Sequence, residues 1–314
     1  MDRGDTFHLP TRRRFGMAML SAAASLGLSA SAADAAEAAA GGETEPDLAF
    51  GVLRYRRFGT GRPLLLLHGF GANSYTWRHL IKEIPSGYET YAIDLKGFGR
   101  SAKSVDGRYS LADHAGLIFG FVERLGLRSV SLVGNSMGGG VAILTALRLI
   151  DVDMPPDRLV LLDSIAYPQP IPAFMSVLRT PILNYLATAL VPAEVQVRSI
   201  LKLAYYDPGK IEAASVKAYA RPLREPGARH ALIETAKKII PPDLSRLTAR
   251  YPDIASPTTI IAGAKDRIVP LSVAHRLHAA LPNATLSVIA KTGHMPHEET
   301  PEKAIPLIVQ ALSN

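Results

Sequence analysis

The residues Gly134 to Gly138 read Gly-Asn-Ser-Met-Gly, a match to the pattern Gly-x-Ser-x-Gly that is typical of a nucleophilic serine on a tight turn. The apolar run Val130 to Val133 precedes this turn with the character of a strand, and a helical pattern follows it. Phosphate-binding loops are also glycine-rich, but neither Gly-x-Gly-x-x-Gly nor Gly-Lys-Ser/Thr occurs here. Because the flanking glycines let the chain pass close to itself, the hydroxyl of Ser136 is expected to project beyond the strand. The pattern predicts Ser136 as a nucleophile.

A serine hydroxyl is a weak nucleophile at neutral pH and needs a base to take its proton. His294 lies just beyond the apolar run Leu286 to Ile289, and Asp266 lies just beyond the run Thr258 to Ile261. In these positions His294 is predicted to accept the proton of Ser136, and Asp266 to fix the imidazole tautomer and stabilise its charged form. The three residues together predict acyl-transfer chemistry.

Alternatives exist for the acid and for the base. Asp163 follows the apolar run Leu159 to Leu162 and is an alternative acid, whereas His297 is an alternative base that we expect to be exposed at a helix start. Four further histidines lie on helical patterns and are expected at the surface: His114, His230, His275 and His278. The spacings His-x-x-x-His and His-Glu-x-x-His do not occur, so the sequence predicts neither a metal site nor a cofactor.

The stretch His68 to Gly71 reads His-Gly-Phe-Gly and follows the run Leu64 to Leu67 directly. A backbone N–H in this loop, that of Phe70, is predicted to pair with the N–H of Met137 as an oxyanion hole. His68 is expected to be a structural histidine that orients the loop.

The elements that must position these residues alternate along the chain. Several apolar runs of strand length have apolar residues at consecutive positions, which is typical of strands buried on both faces. The predicted strands span residues 53–58, 64–67, 90–93, 130–133, 159–162, 258–261 and 286–289, and the predicted helices between and after them span residues 111–125, 141–150, 271–280 and 304–312. The sequence therefore predicts an α/β fold with a mostly parallel central sheet and helices on both faces.

One segment interrupts the alternation. From Pro168 to Pro257 the patterns are helical and no strand is evident, so we expect an inserted helical cap over the edge of the sheet. The chain is accordingly predicted to comprise an export signal (residues 1–35), a linker (36–50), a core in two parts (51–167 and 258–314) and the cap (168–257).

The N-terminal segment has the features of an export signal. Three arginines, Arg12 to Arg14, precede a charge-free, weakly apolar run from Gly16 to Ala33, and the triplet Ala30-Ser31-Ala32 offers small residues for cleavage. The paired arginines resemble a twin-arginine signal. We therefore predict a periplasmic or secreted protein, and the alternative is a disordered or wrongly assigned N-terminus.

The composition excludes several classes of function. The chain has 314 residues and a net charge of +7, but no dense basic run follows the first 14 residues, which disfavours nucleic acid as a partner. There is no cysteine, which excludes disulfides, thiolate metal sites and a cysteine nucleophile.

The motifs together resemble those of the α/β-hydrolase-fold superfamily, in its serine-nucleophile branch with a helical cap. The chain order Ser136, Asp266, His294 is the order expected of that fold, and the stretch from Asp94 to Ser101 (Asp-Leu-Lys-Gly-Phe-Gly-Arg-Ser) adds to the resemblance. The resemblance covers residues 51–312. Haloalkane dehalogenases and epoxide hydrolases of this fold have aspartate at the nucleophile position, so the serine here disfavours both activities.

The resemblance implies hydrolysis of an acyl substrate. We expect a carboxylic-ester hydrolase for small or medium apolar acyl groups. The alternatives are a C–C bond or lactone hydrolase of the same fold, and a ligand-binding or receptor-like protein with a slow or vestigial triad. The substrate and the oligomeric state stay open.

The cap offers candidates for substrate and surface contacts. Five of its side chains are expected either to line an apolar pocket or to pack between cap and core: Phe174, Leu186, Tyr205, Tyr206 and Tyr219. The apolar face from Pro181 to Val191 predicts a weak contact with a membrane surface.

Overall fold

A computed structural model of the protein describes residues 48–313. The predicted export signal and most of the predicted linker lie outside these residues. The first strand begins at Leu48, so the linker prediction, which extended to residue 50, is wrong at its end. Three residues are too short a run for strand periodicity to be recognised in a sequence.

The centre of the fold is an eight-stranded, mostly parallel sheet with the strand order β1-β2-β4-β3-β5-β6-β7-β8. Among the strands of residues 48–313, only the pairs β1/β2 and β2/β4 are antiparallel. The strands are β1 (Leu48–Phe50), β2 (Leu53–Phe58), β3 (Arg62–Leu67), β4 (Tyr88–Asp94), β5 (Ser131–Asn135), β6 (Arg158–Leu162), β7 (Thr258–Gly263) and β8 (Ala284–Ile289). The strand order reverses between β3 and β5, and ligands of such sheets bind beyond the carboxyl ends of the strands at this point.

Helices cover both faces of the sheet, as predicted. In β3, Leu65 and Leu67 belong to one buried apolar cluster, and Leu64 and Leu66 belong to a second one on the opposite face. The helices outside the cap are α1 (Arg78–Ile81), α2 (Leu111–Arg124), α3 (Met137–Ile150), α10 (Leu271–Ala280), α11 (Pro296–Glu299) and α12 (Pro301–Ser313). Because four successive leucines of one strand are fully buried, the consecutive apolar pattern correctly indicated a central parallel strand.

In the described chain, six α-helices follow β6 and precede β7, and no strand lies between β6 and β7. They are α4 (Ala173–Arg179), α5 (Leu183–Leu190), α6 (Ala193–Ala204), α7 (Ala213–Leu223), α8 (Ala228–Lys238) and α9 (Leu244–Ala249). Helices α6 and α7 share a buried apolar cluster of their own, which Met295 joins from the core. This inserted helical segment is the cap.

Helix α5 leaves apolar side chains in contact with solvent. Ile182 and Leu190, at its two ends, are 74% and 72% exposed. Within residues 48–313, no helix combines the length and the apolarity that crossing a bilayer requires. The contact of this segment with a membrane surface stays a prediction.

His114 is buried, and the prediction that it lies at the surface is wrong. Its ring is 1% exposed and lies near Phe98 and Tyr109, with ring centroids 6.3 and 6.4 Å away. Neither ring nitrogen has a hydrogen-bond partner among the described residues. Burial lowers the pKa of His114 from 6.5 to about 4. The helical pattern placed His114 on α2 correctly but did not reveal which face is covered.

We predict that His114 makes the protein sensitive to mild acid. Between its unfolded pKa of 6.5 and its folded pKa of about 4, the unfolded chain binds a proton that the folded chain does not, so stability is complete above pH 6.5 and falls as the pH decreases. His114→Leu should reduce the stability lost between pH 7 and pH 5 by about 2 kcal/mol. The same substitution at the exposed His278 serves as the control, and urea unfolding at both pH values measures the effect. If both variants lost the same stability between pH 7 and pH 5, His114 would not be the source of the acid sensitivity.

Candidate active site

Ser136 occupies a strained turn between β5 and α3. Its backbone angles are φ 55° and ψ −118°, in a region that non-glycine residues rarely adopt and that persists where surrounding contacts enforce it. The Ser136 N–H donates to the carbonyl oxygen of Leu162 over 2.9 Å, and its own carbonyl accepts from the N–H groups of Gly139 and Gly140 over 3.0 and 3.1 Å. The side chain is 8% exposed. These bonds fix the hydroxyl at the carboxyl end of β5.

The glycines of the motif are required by close backbone contacts. A Cβ atom on Gly138 would overlap the carbonyl oxygens of Leu67 and His68, and one on Gly134 would overlap the carbonyl of Gly138. The motif needs glycines at these two positions because β3, β5 and α3 approach one another closely at this turn.

His294 and Asp266 form a buried pair. The Nδ1–H of His294 donates to Asp266 Oδ2 over 2.7 Å, and the side chains are 7% and 0% exposed. Asp266 Oδ1 accepts from the backbone N–H groups of Ile268 and Val269 over 2.7 and 3.0 Å. With the proton on Nδ1, Nε2 is the basic nitrogen of the imidazole. The pair can therefore act as an oriented general base.

The histidine loop is tied to the serine turn through Asn135. The Nδ2 group of Asn135 donates to the carbonyl oxygens of both Leu162 and His294, each over 3.1 Å. The Ser136 hydroxyl has no hydrogen-bond partner in residues 48–313, and bonds of this kind often shorten only when a substrate is present. The fold thus brings the three predicted residues to one place, at the point where the strand order reverses.

The loop after β3 runs against the serine turn. A Cβ atom on Gly69 would lie 3.3 Å from Ser136 Cβ and 3.1 Å from Asn135 Oδ1. The N–H groups of Phe70 and Met137 donate to no acceptor within the described part of the chain. Two unpaired donors beside the hydroxyl form an arrangement that can stabilise an oxyanion.

His68 orients this loop. Its Nδ1–H donates to the Gly69 carbonyl over 2.8 Å, and its Nε2 accepts from the N–H of Leu95 over 2.9 Å. Because Nε2 accepts a hydrogen bond, the ring is neutral. Complete burial also lowers the pKa of His68, against the opposing charge of Asp94. His68 is structural, as expected.

The two alternative residues do not replace the pair. Asp163 is buried at the end of β6, but His294 donates to Asp266. His297 is 1% exposed, stacks on Trp77 with centroids 4.7 Å apart and donates to Thr76 Oγ1 over 2.8 Å. Our expectation that His297 is exposed is wrong because α11 is buried against the segment around Trp77. Burial lowers the pKa of His297 to about 4.

A buried carboxylate beside His297 was not recognised in the sequence. Glu298 accepts hydrogen bonds from Thr76 Oγ1 at 2.5 Å and Arg78 Nη1 at 2.8 Å. The cap contributes two more donors, the hydroxyls of Tyr205 and Tyr219. Burial alone would raise the pKa of Glu298, but the charge of Arg78 and these donors hold it below its ordinary value.

The cap also binds the histidine loop directly. The N–H of His294 donates to the carbonyl of Ala204, the last residue of α6, over 2.7 Å. Glu299 accepts from the N–H groups of Asp207 and Gly293, over 2.7 and 2.6 Å. The position of His294 thus depends on α6 as well as on the core.

Ser136 opens into a cavity of about 100 Å³ between the sheet and the cap. Core residues such as Phe70 and Ile143 line it together with Phe174 of α4 and Leu247 of α9. None of the lining residues is charged, and Ser136, Gln169, Tyr167 and Tyr251 are the polar ones among them. Within residues 48–313, no group of His, Asp and Glu side chains is arranged to hold a metal ion.

Of the five cap side chains considered from the sequence, only Phe174 lines this cavity. Tyr205 and Tyr219 are buried against Glu298, whereas Leu186 and Tyr206 are each 43% exposed. Packing, and not pocket lining, is the role of the two buried tyrosines.

Comparisons with known proteins agree on the fold. A family model described as "Alpha/beta hydrolase family" matches residues 64–305. The uncharacterized hydrolase YugF of Bacillus subtilis is 29% identical over 244 residues, 76% of this chain and 85% of its own length. The 2-hydroxymuconate semialdehyde hydrolase of Pseudomonas putida is 28% identical over 267 residues, 81% of this chain and 88% of its own length.

A solved structure adds to this agreement. The meta-cleavage product hydrolase CumD of Pseudomonas fluorescens IP01 superimposes with a TM-score of 0.69 over 83% of this chain and 94% of its own, at 24% identity. This likeness concerns the fold.

Proposed function

The chain belongs to the alpha/beta hydrolase family, and on this premise we propose that it is a serine hydrolase that cleaves carboxylic esters with a small or medium apolar acyl group. The observation that supports the ester class most directly is the uncharged, apolar cavity into which Ser136 opens. Its lining contains no charged side chain that could pair with an ionised substrate group. An ion placed there would lose its hydration without compensation.

The proposed reaction begins with Ser136. His294 Nε2 removes the hydroxyl proton while Oγ attacks the ester carbonyl, and the N–H groups of Phe70 and Met137 receive the resulting oxyanion. The intermediate collapses by breaking the bond to the alcohol, which leaves with the proton from His294. A water molecule, deprotonated by His294, then attacks the acyl-enzyme and releases the carboxylic acid and Ser136. Asp266 stabilises the imidazolium in both halves of the reaction.

The size of the cavity limits the acyl group. The cavity has a volume of about 100 Å³ and lies between the sheet and the cap, so its apolar walls restrict how long an acyl chain can be. We expect short and medium acyl chains to be preferred.

The similarity to the 2-hydroxymuconate semialdehyde hydrolase suggests a different class of substrate. A 2-hydroxymuconate semialdehyde carries a carboxylate, and a buried carboxylate needs a cationic or hydrogen-bonding partner. The cavity lining has no Arg, Lys or His. The C–C hydrolase alternative therefore receives less support from the site than ester hydrolysis does.

We predict that one cavity substitution separates short from longer esters. Leu247→Trp should lower kcat/KM for an octanoyl ester by about ten-fold or more, because the added ring fills acyl space, and should leave an acetyl ester nearly unchanged. Leu125→Trp, at an exposed position outside the cavity, is the matched control. Turnover of a p-nitrophenyl ester series from acetyl to palmitoyl measures the effect.

The same series tests the proposed function. The folded protein should turn over short and medium esters and show little activity on an anionic ring-cleavage product. Absence of ester turnover in the folded protein would contradict the proposal. Thermal stabilisation by the esters without turnover would instead support the ligand-binding alternative.

A further inference from the structure

Two buried carboxyl groups meet at the end of β7. Asp163 directly follows β6, and Asp266 comes three residues after β7 ends at Gly263. The N–H of Gly263 donates to Asp163 Oδ1 over 2.9 Å, and the N–H of Asp266 donates to the Gly263 carbonyl over 3.2 Å. The N–H of Asp163 donates in turn to the carbonyl of Ile261 over 3.0 Å. The carboxyl group of Asp163 and the backbone of Asp266 are thus both bound to Gly263.

Asp163 has the surroundings of a neutral acid. It is 4% exposed, and its Oδ2 atom accepts no hydrogen bond from the described residues. An ionised carboxylate with one hydrogen bond and no cation would be strongly disfavoured in this position. A protonated carboxyl group has a donor on Oδ2 and can satisfy that atom.

The neighbouring charges also favour the neutral form of Asp163. Burial raises the pKa of Asp163 well above its ordinary range, and the negative charges of Asp266 and Glu299 raise it further. The single opposing contribution is the hydrogen bond from Gly263. Asp266, by contrast, is paired with His294 and accepts two backbone N–H groups.

Asp266 has one acceptor position left. An ionised carboxylate offers about four lone-pair directions. Ile268 and Val269 occupy two on Oδ1, and His294 occupies one on Oδ2. A donor from Asp163 would occupy the remaining lone-pair direction on Asp266.

We propose that Asp163 is a positioning residue, a neutral acid whose Oδ2–H donates to Asp266 and holds that carboxylate in line with His294. The assignment rests on the proposed function. Because an extra donor disperses the charge of Asp266, the proton is held less tightly on the imidazolium, and His294 stays available as a base at lower pH.

The replacements Asp163→Asn and Asp163→Leu distinguish this role from structural packing. Asparagine keeps an acceptor for Gly263 and a donor for Asp266, whereas leucine has nearly the same shape and neither group. We expect D163N to keep kcat/KM within about three-fold of the wild type, since both hydrogen bonds survive, and D163L to lose about ten- to a hundred-fold, since Asp266 and the Gly263 N–H lose their partners. The acidic limb of the kcat/KM pH profile should move to higher pH in D163L alone.

An infrared measurement tests the neutral acid without any substrate. The spectrum of the wild type at pH 7 should contain the C=O stretch of a protonated carboxyl group that is missing from D163N. Its absence would overturn the proposal whether or not the protein hydrolyses esters. Equal losses of activity in D163N and D163L, or an unchanged pH profile in a folded D163L, would also overturn it.

Discussion

Ser136→Ala is expected to lower kcat for the preferred ester by at least about 10⁴-fold, because no other hydroxyl is held on the turn between β5 and α3. The donors Phe70 and Met137 and the apolar cavity stay in place, so some binding and residual rate should remain. Loss of one oxygen atom from a side chain without hydrogen-bond partners should change the free energy of unfolding by less than about 1 kcal/mol.

Ser164→Ala is the matched control for this substitution. Ser164 is a second buried serine near the turn, and its hydroxyl likewise has no partner among the described residues. Its removal should leave kcat within about three-fold of the wild-type value. A similar loss of activity in both variants would contradict a specific role for Ser136. Steady-state kinetics and thermal unfolding of the three proteins measure both effects.

Asp266→Asn is expected to lower kcat by about 10⁴-fold at neutral pH. In the variant, the amide oxygen can still accept from Ile268 and Val269, so the NH₂ group would face His294 Nδ1. An NH₂ group cannot accept the Nδ1 proton, so the imidazole would place its proton on Nε2. The nitrogen that should act as the base would then be unable to accept the proton of Ser136.

Asp163→Asn is the control for Asp266→Asn, because it makes the same chemical change in the adjacent carboxyl group. We expect a large loss of kcat in D266N and a small one in D163N. The reverse result would transfer the role of triad acid to Asp163. Measurement of kcat/KM between pH 5 and pH 9 would separate a lost base from a shifted profile.

The sequence was informative where a local pattern determines the structure. The central strands are apolar at consecutive positions, and the turn at Ser136 needs glycines that its own motif contains, so both could be recognised without coordinates. The α/β fold is confirmed by the structure and by the family match, and the structure forms the mostly parallel sheet and the inserted helical segment that were predicted. The catalytic roles remain predictions, although the fold places the residues together.

Contacts between distant parts of the chain could not be predicted. Glu298 binds Thr76 and Tyr219, which lie 222 and 79 residues away, and no spacing rule joins them. The bond from His294 to Ala204 depends on where the cap folds back, which the helical pattern does not state. The burial of His114 and His297 was missed for the same reason, because a helical pattern does not say what covers each face.

Reaction with a fluorophosphonate is the most direct test of whether Ser136 is an activated nucleophile. An activated serine displaces fluoride and forms a bond from Oγ to phosphorus, which adds one phosphonyl group to the mass of the protein. We expect a single adduct on the folded wild type, located on Ser136, and none on Ser136→Ala. Absence of an adduct on the folded wild type, or an adduct that persists in Ser136→Ala, would contradict the assignment of Ser136 as an activated nucleophile.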